Sequence, residues 1–66
     1  MDEIKLTNRQ SQILQMMAEG DTSKLMAYKL NLSLRTVLSH VQNLKKVIGA
    51  ETRAHIVHLA HQKGLL

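Results

Sequence analysis

Between Asp21 and Gly49 the chain holds a short apolar run, a three-residue break and a longer periodic run, and this succession constrains the fold more than any other feature. The short run is Leu25, Met26, Ala27 and Leu30. It is preceded by Asp21, Thr22 and Ser23, each a competent helix N-cap, and followed by Asn31, which tolerates the left-handed region. A helix over 23–30 is predicted. Only Asn31, Leu32 and Ser33 separate it from the next run, and Ser33 is again a good cap. At about 100° per residue, Val37, Val41, Leu44 and Ile48 share one inward stripe, which predicts a helix from Leu34 to Ile48 stopped by Gly49. A short helix, a tight break and a longer helix make a helix-turn-helix arrangement.

The flanking segments read the same way. Thr7-Asn8-Arg9-Gln10 fits a capping box, in which the threonine hydroxyl takes a first-turn amide and the glutamine reaches back to the cap. The helix it opens is predicted over 7–19, with Ile13, Leu14, Met16, Met17 and Ala18 as a broad apolar face, Leu6 packing back as a staple and Gly20 as the stop. Thr52 can cap a last helix over 52–63 that Gly64 ends, leaving Leu65-Leu66 as a tail that can fold back. Ile56, Val57 and Ala60 form its inward stripe, and His55, Leu59 and Gln62 a second, milder one. There is no proline, linker or repeat, and nothing requires a strand. The expected fold is therefore all-α, four helices in a single domain spanning 1–66. A chain this short buries only about 60% of its unfolded surface, and its core must come from Leu, Ile, Val, Ala and Met, since Tyr28 is the only aromatic.

Charge narrows the function. The net charge is +4, and residues 20–66 hold seven Lys and Arg against Asp21 and Glu51. A pI of about 9.9 suits a polyanion. On the predicted third helix, Arg35, Ser39, Gln42, Asn43 and Lys46 lie opposite the apolar stripe without any acidic residue, and Leu38 lies between the two faces. With no cysteine, neither a disulfide nor a thiolate metal site can staple the chain, so a reducing cytosol suits it. No apolar run reaches the about 18–20 residues of a membrane span, and Met1-Asp2-Glu3 is acidic where a secretory signal is basic. A soluble, cytoplasmic chain is expected.

The five carboxylates are scattered, no nucleophile and base are spaced as a set, and no glycine loop could cradle a phosphate, all of which argues against an enzyme. His55, His58 and His61 recur every three residues, but the run drifts around its helix and lacks an acidic or cysteine partner. Neither a metal nor a cofactor is expected. Met16, Met17 and Met26 fall at helical spacing, which places them in the core rather than in a partner groove.

The stretches LTNRQSQILQMMAEG and SKLMAYKLNLSLRTVLSHVQNLKKVIGAETRAHIVHLAHQKGLL resemble the four-helix DNA-binding domain of LuxR/FixJ/GerE-type transcription regulators over residues 5–66. The resemblance is carried by Leu6, Thr7, Arg9, Ala18-Glu19-Gly20, Ala27, Leu30, Ser33, Thr36, Val37, His40, Asn43, Gly49, Arg53, Ala60 and Gly64-Leu65-Leu66. It implies that the third helix enters the major groove, the second braces it, and the fourth pairs two copies on a two-fold site. Position by position it implies base-edge roles for Leu38, Ser39 and Gln42, and phosphate roles for Lys24, Arg35, Thr36, Asn43 and Lys46. It also implies a homodimer with His55, Leu59 and Gln62 nearest the axis, and leaves His40 a structural or phosphate-facing place.

The chain departs from the family at three positions. Gln10 replaces a glutamate but keeps the capping box. Leu25 replaces an acidic or polar residue, and Leu38 stands where the family places a DNA-facing lysine. The expectation is a bacterial-type regulator of transcription that binds double-stranded DNA, either as an output domain or as a small stand-alone regulator controlled by abundance or by a partner. The rival is a protein-interaction module that uses Leu38 and the fourth helix to bind another regulator.

Overall fold

Four helices form, and local side-chain caps fix where each begins. The computed structural model describes residues 4–66, so the acidic start Met1-Asp2-Glu3 lies outside the described residues. The helices are α1 (Asn8–Ala18), α2 (Ser23–Leu30), α3 (Leu34–Ile48) and α4 (Arg53–Gln62), with no strand among the described residues. At α1 both halves of the capping box are made. Gln10 N donates to Thr7 Oγ1 (3.1 Å), and Thr7 N donates to Gln10 Oε1 (3.0 Å). Thr7 and Thr52 are thus caps just outside the helices, as Glu19 and Lys63 are at the other ends, which accounts for the one-residue excess of the predicted ranges.

At α2 the sequence offers three caps and the fold selects Thr22, whose Oγ1 accepts from Leu25 N at 3.1 Å. The other two are engaged elsewhere: Asp21 Oδ2 pairs with Lys29 Nζ at 2.9 Å, and Ser23 Oγ accepts from Arg53 at 2.7 Å. The helix ends at Asn31, whose φ of 56° is left-handed. Leu32 N then closes back onto the Ala27 carbonyl at 2.9 Å, and Ser33 takes Thr36 N at 3.1 Å to start α3. The break between α2 and α3 is therefore a closed set of local hydrogen bonds, and it sets the angle between the two helices.

The core is one aliphatic cluster. Ile13, Leu14 and Met17 from α1, Met26 and Ala27 from α2, Val37, Val41, Leu44 and Ile48 from α3, and Ile56 and Ala60 from α4 are buried together with Ala50. Leu6, Met16, Leu30, Leu32, Val57, Leu59, Leu65 and Leu66 pack half-buried around it, so the C-terminal tail does fold back on the body. α3 packs against each of the other three helices, and α1 also packs against α4. One position expected on an apolar face is corrected. Ala18 is exposed, because it is the last residue of α1 and the chain turns away through Glu19 and Gly20. Leu25 is also exposed, because an eight-residue helix that buries Met26 and Ala27 leaves Leu25 and Tyr28 on its outer side.

Candidate nucleic-acid interface

With three neighbours holding its apolar stripe, α3 still presents a full outer face. Arg35, Thr36, Ser39, Gln42, Asn43 and Lys46 are all exposed, while His40 and Lys45 are half-buried at the margins. No carboxylate lies on α3, and of those among the described residues Asp21 is already paired with Lys29. The face therefore consists of hydrogen-bonding groups and cations, backed by a helix whose position is fixed from behind. Lys24 is exposed at the start of α2. Thr36 is partly occupied, since its Oγ1 lies 2.9 Å from Ser33 Oγ at the cap. When Ser33 donates that bond, the Thr36 hydroxyl keeps its own proton for a ligand oxygen.

Leu38 is 47% exposed and stands at the border of this face, one turn from Gln42 on one side and from the exposed Leu34 on the other. The inward stripe is complete without it. Two further apolar side chains, Leu25 and Tyr28, are exposed on α2, Tyr28 to 84%.

One residue that carries the resemblance has a role that the sequence did not assign, that of tying the helices together. Arg53, the first residue of α4, donates from Nη1 to Ser23 Oγ (2.7 Å) and from Nη2 to the Asp21 carbonyl (3.0 Å). Its fork joins the start of α4 to the start of α2. The two segments are 30 residues or more apart, so no local window holds both partners. His55 also has a task that periodicity did not reveal. Its backbone N–H donates to Thr52 Oγ1 (3.1 Å) and its ring Nδ1 accepts from Glu51 N (3.3 Å), a reciprocal cap at the start of α4. Gln62 is exposed, and Leu59 is half-buried against the core. The set His55, Leu59 and Gln62 thus shares one side of α4, with only part of Leu59 free.

An open groove of about 230 Å³ lies between the end of α1 and the start of α4, lined by Met17, Gly20, Asp21, Arg53, Ala54 and Val57. None of its lining comes from α3. Among the described residues no group of three His, Asp or Glu side chains is placed to hold a metal ion, and no helix is long and apolar enough to cross a membrane.

A family model described as bacterial regulatory proteins, luxR family, matches residues 5–60. The chain belongs to that family. It is a family of regulatory proteins, not of enzymes. The luxR-family domain is 37% identical over 65 residues to the transcriptional regulatory protein YdfI of Bacillus subtilis (strain 168), a match covering 98% of this chain and 30% of YdfI. Its fold is similar to that of VqmA from Vibrio cholerae, a LuxR-type receptor seen as a dimer in the absence of target DNA. The TM-score is 0.93 at 28% identity, over 97% of this chain and 29% of that one. VqmA in complex with ligand and DNA matches with a TM-score of 0.90 at 26% identity, over 98% of this chain and 28% of that one. The domain thus spans well under half the length of YdfI and of VqmA.

Proposed function

We propose that this luxR-family domain binds duplex DNA with α3 in the major groove, as a homodimer paired through α4, and regulates transcription in the cytoplasm. The observation that carries the reading is the outer face of α3, which is exposed, furnished with donors and cations, and free of carboxylates. A helix of about 10–12 Å diameter fits a major groove about 12 Å wide. In this reading Ser39, Gln42 and Leu38 meet base edges, while Lys24, Arg35, Thr36, Asn43 and Lys46 meet phosphates and fix the register. Two-fold pairing with His55, Leu59 and Gln62 nearest the axis would set two copies of α3 on two half-sites. The likeness to VqmA, seen both as a dimer and with DNA, supports this arrangement.

Fluorescence anisotropy with a labelled duplex over a salt series tests the reading. Lys24, Arg35 and Lys46 give three phosphate-facing cations per copy, hence six per pair, so log K should fall against log salt with a slope of about −5. Sedimentation of the bound species should give two copies per duplex. If no duplex of varied sequence binds at low salt, the reading fails. The exposed Leu25, Tyr28 and Leu38 would then point to a regulatory protein as the partner.

A further inference from the structure

We infer that Leu38 selects a thymine, through its 5-methyl group, at a fixed distance from an adenine recognised by Gln42, so that each half-site of the target pairs these two bases. The inference rests on the DNA reading above and adds to it a base and a spacing. Leu38 is 47% exposed and is not one of the half-buried residues that pack around the core, so the core does not account for a leucine here. Its neighbours on the face are Arg35, Ser39 and Gln42, all exposed and polar. An aliphatic side chain among donors cannot bond guanine O6 or N7, and it would leave the cytosine amine unpaired. The thymine methyl is the one apolar feature that the major groove offers.

Gln42 lies four residues on, about 6 Å along the helix, and its amide can bond adenine through N6 and N7. With bases spaced about 3.4 Å along a strand, the thymine and the adenine fall about two steps apart. A protein occupant fits less well. The exposed leucines of this edge are only Leu34 and Leu38, interleaved with Arg35, Ser39 and Gln42, whereas a stable protein interface buries about 800 Å² on each side.

The test begins with selection of duplexes bound by the full chain from a random-sequence pool. Each thymine of a selected duplex is then replaced in turn by deoxyuridine, which lacks only the methyl. Removing one buried methyl should weaken binding about fourfold, and removing it in both half-sites of a dimer site about fifteenfold. One thymine per half-site should show this loss, about two steps from an adenine whose replacement by guanine is no longer penalised in Gln42→Ala. In Leu38→Ala the deoxyuridine effect should vanish at that thymine and persist at any other. Circular dichroism should show the fold of this variant retained, since the side chain lies outside the core.

If duplexes are selected but every deoxyuridine replacement acts equally on the original chain and on Leu38→Ala, the thymine inference is overturned while DNA binding stands. If no duplex is enriched at low salt, both are overturned.

Discussion

Replacing Arg53 with methionine keeps the side chain's apolar stem and removes its two hydrogen bonds, to Ser23 Oγ and to the Asp21 carbonyl. Hydrogen bonds from a charged donor contribute about 1.5–3 kcal/mol each, and the lower value applies here because the site is only part-buried, giving about 3 kcal/mol for the pair. An opposing effect acts at the same atoms. Arg53 is the first residue of α4, where a positive charge meets the positive end of the helix dipole, and its removal returns about 0.5–1 kcal/mol. The expected net loss is about 2 kcal/mol. For a domain of this size that lowers Tm by about 8–16 °C. Urea unfolding followed by circular dichroism should show a lower midpoint with an unchanged slope, because the surface exposed on unfolding is the same. Arg53→Lys, with one point donor in place of a fork, should recover about half of the loss. A loss below about 0.5 kcal/mol in Arg53→Met would refute the reasoning, since the bonds would then be no better than those the partners make to water.

Three further substitutions have defined outcomes. Gly49→Ala should destabilise the domain by about 1–2 kcal/mol in thermal unfolding, because φ there is +82° and nothing lies near the added methyl, so the cost is one of backbone conformation alone. Thr7→Ala breaks the capping box of α1 and should cost about 1 kcal/mol in the same assay, with helix content lost first at the N-terminal turn by hydrogen exchange. Leu38→Lys should raise low-salt affinity for duplexes of arbitrary sequence, because it adds one cation per copy, while abolishing the preference for the selected thymine; a thymine preference that survives would place residue 38 away from the base edge.

The helix ends were legible because caps are local. Thr7 with Gln10, Ser33 with Thr36 and Thr52 with His55 each lie three residues apart, inside any sequence window. Where a local rule returned three answers, at Asp21, Thr22 and Ser23, the choice was made by Lys29 and Arg53, which compete for two of the three side chains. The apolar stripe of α3 was legible for a related reason: fifteen residues give the 3.6-residue period four turns in which to declare itself. Eight residues in α2 do not, and the run Leu25, Met26, Ala27 and Leu30 left open which of its members face inward. Ala18 differs in another way: it is the last residue of α1 and lies about 40° beyond Leu14, at the edge of the buried stripe of Ile13, Leu14 and Met17, so it is left exposed.

The candidate interface was legible as a face but not as a mounted device. Which of Leu38, Ser39 and Gln42 approaches a base depends on how α3 is tilted by α1, α2 and α4, and that tilt is set by contacts between residues far apart in the chain. Arg53 shows why this matters for a two-fold pair. If α4 pairs the copies and α3 meets the DNA, the separation of the two reading helices is fixed by how rigidly α3 is joined to α4 within each copy. Half-sites one helical turn apart require a centre-to-centre spacing of about 34–36 Å. An error in the α3–α4 angle is doubled across the axis, because both copies carry it. The direct packing of α3 on α4 sets that angle. The Arg53 fork, joining α4 to the start of α2, closes a second path through α2 and the hydrogen-bonded break into α3. Two paths between the same helices resist rotation where one would act as a hinge. Loosening the fork should therefore cost binding to a two-half-site duplex more than binding to a single half-site, even at temperatures where the domain is fully folded.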